Sequence, residues 1–128
     1  MTREAFERLV TEEFSVAVPK EFRDKIENVA FLIEEEPSPA TRTEEGLTLT
    51  ETLLGLYRGI PTTARGGYYG VGSTLPDTIT LFQHPIEEVA KEEGKEVRQV
   101  IRETIWHEVA HHFGYNERQI RGREEKQH

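Results

Sequence analysis

The run W-H-E-V-A-H-H-F-G-Y-N-E from Trp106 to Glu117 constrains the fold more than any other stretch. Two of its three histidines, His107 and His111, share a face if the backbone between them is helical. At 100° per residue, His111 then lies about 40° round from His107 and one turn above it. Both imidazoles can then reach one metal ion, a chelate built from a single helix. Glu108 projects from an adjoining angle, where it reaches a metal-activated water without ligating the ion. Zinc suits this arrangement, because it acidifies water and a neighbouring carboxylate can take the proton. The chemistry so implied is hydrolysis of an amide bond.

Two histidines leave the coordination sphere open, since catalytic zinc takes three protein ligands plus water. Gly114 follows three residues after His111, where a left-handed glycine ends a helix and turns the chain back. Glu117 comes three residues later and is the candidate third ligand. Two other readings of that position stand beside it. A carboxylate near the start of a terminal helix can serve only the helix dipole, with water or an acidic group such as Asp77 filling the vacancy. His112 points away from the other two and is expected to pack or hydrogen-bond. His84, before Pro85, is expected in an exposed turn.

The chain has 128 residues, enough for one domain with a real core, and 35% hydrophobic and 31% charged residues, the balance of a globular protein. It contains no cysteine, so any zinc is held by nitrogen and oxygen alone. Twenty-four acidic residues against sixteen basic ones give a net charge of −8, which repels nucleic acid. No apolar run approaches a bilayer span and the N-terminus has no apolar signal core, so the expectation is a cytoplasmic protein without a membrane partner. Abundant Glu and Arg with a single Met fit a thermophilic source.

Read in order, Thr2 caps a helix to about residue 16 with Phe6, Leu9, Val10 and Phe14 at helical spacing. Pro19 opens a second short helix carrying Phe22 and Ile26 and ending at Asn28. Residues 29–33 form a buried strand, 38–50 a loop, and 53–60 a second strand whose Gly55, Gly59 and Pro61 argue against helix. Residues 62–74 are a glycine-rich loop in which Tyr68 or Tyr69 either packs on the sheet or stabilises an oxyanion. The alternation in 77–82 predicts a half-exposed edge strand. A short helix over 86–93 ends at Gly94. A long helix over 95–113 follows, with Val97, Ile101, Ile105 and Val109 on its core side and the ligands continuing the stripe of Val100 and Thr104. Residues 116–121 add a helical turn, and 122–128 form a flexible charged tail.

Three stretches resemble the small bacterial zincin-like metallopeptidases with a minimal matrix-metalloprotease-like fold. They are L-L-G-L-Y-R-G-I-P from Leu53, L-P-D-T-I-T-L-F from Leu75 and H-E-V-A-H-H-F-G-Y-N-E-R from His107, and the resemblance spans residues 21–120. The last matches the H-E-x-x-H-x-x-G-x-x pattern of the metzincins with Glu117 in place of the final histidine. The only methionine is Met1, so no methionine turn lies under the site. The resemblance implies an α+β fold, zincin-like, with a small mixed β-sheet of three or four strands packed against helices. The H-E-x-x-H motif would sit on a long C-terminal helix beneath an edge strand. It further implies one Zn2+ held by His107, His111 and Glu117, with Glu108 as acid/base.

The expected function is a zinc-dependent metallopeptidase acting on a peptide or protein that pairs with the edge near 78–82. Two alternatives belong to other classes. One is a non-catalytic, metal-stabilised protein-interaction module. The other is a metal-dependent nuclease, against which the acidic balance and Glu108 both weigh.

Overall fold

The computed structural model describes residues 1–24, 28–59, 76–115 and 118–119. Three strands form one mixed sheet: β1 (Val29–Glu34), β2 (Gly55–Arg58) and β3 (Asp77–Phe82), in the order β1-β3-β2. β1 runs parallel to β3, with Val29 opposite Asp77 and Glu34 opposite Phe82. β2 runs antiparallel to it, with Gly55 opposite Leu81.

The central place of β3 corrects the expectation of a half-exposed edge strand at 77–82. Its alternation divides two covered faces. Ile79 and Leu81 enter the main core, while Thr80 and Phe82 on the other face are 3% and 1% exposed. Threonine marked the second face as polar, but its methyl and a satisfiable hydroxyl make it a strand residue that tolerates burial. With a neighbour on each side, β3 has no edge to offer a peptide, so the substrate pairing expected at 78–82 is ruled out.

The helices are α1 (Arg3–Ala17), α2 (Lys20–Arg23), α3 (Pro39–Glu44), α4 (Gln83–Glu93) and α5 (Val97–His112). Thr2 caps α1 as its sequence requires, its hydroxyl accepting from Ala5 N at 3.1 Å. α1 buries Phe6, Val10 and Ala17 against α5 and β1, and Phe14 meets Phe31 of β1 edge to face at 5.0 Å. Glu13 of α1 is buried towards α5, with Arg98 Nη1 at 2.7 Å and Arg102 Nε at 3.1 Å from its two oxygens. Burying a carboxylate without such partners is costly.

α3 corrects the loop expected over 38–50. Ser38 accepts from Thr41 N and Pro39 occupies the first turn, the capping pattern that starts a helix even where no apolar period announces one. α3 reaches β2 through Arg58, which donates to Thr41 Oγ1 at 3.4 Å and to Glu44 Oε2 at 3.0 Å. α2 starts after Pro19 as expected but ends at Arg23, with Asp24 as its C-cap. α4 begins directly after β3, so His84 is exposed on its first turn. It ends at Gly94, with φ of 64°, and the turn delivers α5. The expectations for Ile26, for residues 62–74 with Tyr68 and Tyr69, for Glu117 and for the tail 122–128 lie outside the described residues. Of the helical turn expected at 116–121, Arg118 and Gln119 are described and are helical.

Thr80→Lys separates a central from an edge position for β3. Burying an unpaired ammonium there is expected to lower stability by about 3 kcal/mol or more, measured by urea unfolding. A loss below about 0.5 kcal/mol, the size found at exposed sites, would return β3 to the edge.

Candidate metal centre

α5 is built as a core helix with one polar side. Val100, Ile101, Thr104, Ile105, Trp106, Val109 and Ala110 are buried, and Trp106 packs edge to face on Phe22 at 5.4 Å. The expected core positions Ile101, Ile105 and Val109 are among them. Trp106 and Ala110 widen the face beyond the stripe the spacing suggested.

His107 and His111 leave the helix on its open side. Their Nε2 atoms lie 3.1 Å apart and their ring centroids 4.7 Å apart. The helix stops immediately beyond them as expected. Gly114 takes φ of 84°, its amide donates to His111 O at 2.9 Å and the Tyr115 amide donates to Ala110 O at 2.9 Å. Those two bonds are the Schellman arrangement. Tyr115 secures it by packing edge to face on Phe22 at 5.3 Å.

A second stripe of α5, Thr104, Glu108 and His112, meets β2 in register. Four helical residues rise about 6.0 Å, and two strand residues span about 6.6 Å. The steps of 104, 108 and 112 therefore keep pace with those of 55, 57 and 59. At the first step a Cβ on Gly55 would lie 2.8 Å from Thr104 Cγ2 and 3.1 Å from Thr80 O, so only glycine lets the strand come this close. At the second step Tyr57 N donates to Glu108 Oε1 at 3.1 Å. At the third, the Tyr57 ring stacks on His112, 4.0 Å between centroids and 17° between planes. Here a Cβ on Gly59 would lie 3.0 Å from His112 Cε1.

Burial raises the Glu108 carboxyl above its ordinary range, while the Tyr57 amide and the two histidines act in the opposite direction. Asp77 is 8% exposed and accepts the Tyr57 hydroxyl at Oδ2, 2.7 Å away. Among the described residues no set of three His, Asp or Glu is arranged to hold a metal, so Asp77 does not join the histidine pair. The histidine pair and the adjoining carboxylate are therefore brought together as the sequence suggested, and His112 packs as expected. Sequence reasoning missed Tyr57 and Gly55. The signal available for them was a G-x-Y-x-G stretch facing a helix with polar residues every fourth position.

A mixed sheet laid along a helix that carries two converging imidazoles and, on the adjoining stripe, a half-buried carboxylate fits a zincin-like fold. The chain belongs to the zincin-like metallopeptidase family, which it matches over residues 26–127. It is also similar to the solved structure of a conserved hypothetical protein from Thermo thermophilus. That similarity has a TM-score of 0.55 and 29% sequence identity, over 95% of this chain and 99% of the other. No curated protein matches the sequence. Among the described residues no helix is long and apolar enough to cross a membrane.

The Gly55 contact gives a stability test. Gly55→Ala is expected to cost about 1–3 kcal/mol through overpacking, because the Thr104 hydroxyl is tied to Val100 O at 2.7 Å and its methyl cannot swing aside. Adding Thr104→Ser removes the methyl and should recover part of the loss in thermal unfolding. Equal stability of wild type and Gly55→Ala would show that β2 does not rest on α5 at this point.

Proposed function

We propose that the chain is a zinc-dependent peptidase whose single Zn2+ is held by His107, His111 and Glu117 and whose general base is Glu108. The observation that carries this reading is the pair of Nε2 atoms 3.1 Å apart. With Zn–N bonds of about 2.0–2.1 Å, that separation subtends roughly 100° at the metal, close to the tetrahedral value. The donor set also fits, because a chain without cysteine offers zinc only imidazole and carboxylate.

The ion supplies Lewis acidity, polarising a scissile carbonyl and acidifying water. The remaining work falls to the chain. His107 and His111 fix the ion on the open face of α5, while Glu108 takes a proton from the attacking water and passes it to the leaving amine. Glu117 is assigned as third ligand because it follows the left-handed turn at Gly114 by three residues, a spacing at which a chain reversal could return a carboxylate to the histidine pair. Zinc accepts such an oxygen at about 2.0–2.2 Å.

The substrate class is a peptide or protein. The net charge of −8 opposes a nucleic acid partner, and a chain without cysteine suits the reducing cytoplasm.

His107→Ala and His111→Ala should each abolish stoichiometric zinc binding in isothermal titration, and unchanged affinity in both would refute the site. Glu108→Gln should keep the metal and lose turnover by about 10²–10⁴-fold on a peptide found by library screening. Wild-type turnover in that variant would assign the base elsewhere. A crystal structure of the zinc-loaded protein decides the third ligand: a Glu117 carboxylate well outside bonding distance removes it and leaves the histidine pair standing.

A further inference from the structure

We propose that Tyr57 is the positioning residue of this site. Its backbone amide anchors one oxygen of Glu108, and its side chain, clamped by His112 and Asp77, holds that amide in place. The inference rests on the peptidase reading and adds to it a reason for the orientation of the base.

The pairing pattern of β2 shows that the Tyr57 amide is available for this purpose. Leu54 O accepts from Phe82 N at 2.9 Å, so Leu54 and Phe82 form a hydrogen-bonded pair. Bonded pairs alternate along an antiparallel ladder, which makes Leu56 opposite Thr80 and Arg58 opposite Thr78 the next ones. The amides of Gly55 and Tyr57 therefore point away from β3. The amide of Tyr57 is directed at α5, and it donates to Glu108 Oε1 at 3.1 Å. A carboxylate fixed through one oxygen keeps the other for proton transfer, and it arrives at the reaction already oriented.

The anchor is only as good as the position of the strand that carries it. Tyr57 is held at both ends by different elements. Its hydroxyl donates to Asp77 at the start of β3, at 2.7 Å. Its ring lies flat on His112 at the end of α5, 4.0 Å away. His112 stands one turn beyond Glu108 on the same stripe, so the residue that holds the ring and the residue that receives the amide belong to one rigid helix face. Gly59 lets the chain pass over this contact, where a Cβ would lie 3.0 Å from His112 Cε1 and 3.8 Å from Asp77 Oδ1. A tyrosine spanning sheet and helix in this way fixes their separation at the point where the base sits.

The test combines amide hydrogen exchange with kinetics on the full chain, using Glu108→Ala, His112→Ala and His112→Phe. Removing the acceptor in Glu108→Ala should speed exchange at the Tyr57 amide by about tenfold or more. The amides of Leu56 and Arg58, bonded to β3, should keep their protection and so report that the sheet is intact. His112→Ala should speed the same amide and lower kcat by about 10–100-fold with KM and zinc affinity nearly unchanged, the pattern of an interaction needed in the transition state. His112→Phe preserves a stacking ring and should restore most of both. Wild-type protection of the Tyr57 amide in both alanine variants overturns the proposal, as does an unchanged kcat in His112→Ala. If wild type cleaves no peptide, the peptidase reading fails by itself, and exchange at the Tyr57 amide alone then decides whether the anchor and its clamp exist.

Discussion

The matched spacing of a strand and a helix governs this structure. Positions 55, 57 and 59 advance along one face of the chain at almost the rate at which 104, 108 and 112 advance along α5. A close approach at one step is therefore repeated at the next two. The first step is steric, glycine against a threonine methyl. The second is a hydrogen bond from a strand amide to a half-buried carboxylate, and the third is an aromatic stack. Because the three share one rigid face, a displacement at Gly55 is felt at Glu108.

This register also explains how the motif helix meets two opposed demands. The stripe through His107 and His111 must stay open, and the stripe through Glu108 must be covered, although the two are only one residue apart. β2 lies against the second through Gly55, Tyr57 and Gly59. The core face of α5, from Val100 to Ala110, then anchors the whole against α1, where Glu13 sits between Arg98 and Arg102. Burial of Glu108 has an electrostatic consequence, since desolvation raises its carboxyl above the usual range.

The site was more legible in the sequence than the sheet that frames it. Helical geometry alone fixes the relation of His107, Glu108 and His111, and Gly114 announces its own turn because left-handed backbone strongly favours glycine. The long motif helix followed from local pattern, and the α+β class from the family resemblance. Strand order did not. The alternation of Thr78, Ile79, Thr80 and Leu81 has the same period whether the polar face meets water or a second covering layer, and only long-range pairing distinguishes the two. α3 escaped notice because its start lies in a cap at Ser38 rather than in an apolar repeat. The roles of Tyr57 and Gly55 depend on what stands opposite them, some fifty residues along the chain.

The central claim is that the imidazoles of His107 and His111 share one zinc ion. X-ray absorption at the zinc edge of the stoichiometrically loaded protein tests it most directly. A shared zinc predicts a shell of nitrogen and oxygen at about 2.0–2.2 Å, with the outer-shell multiple scattering of two imidazole rings. A shell of oxygen alone, without imidazole scattering, would contradict it.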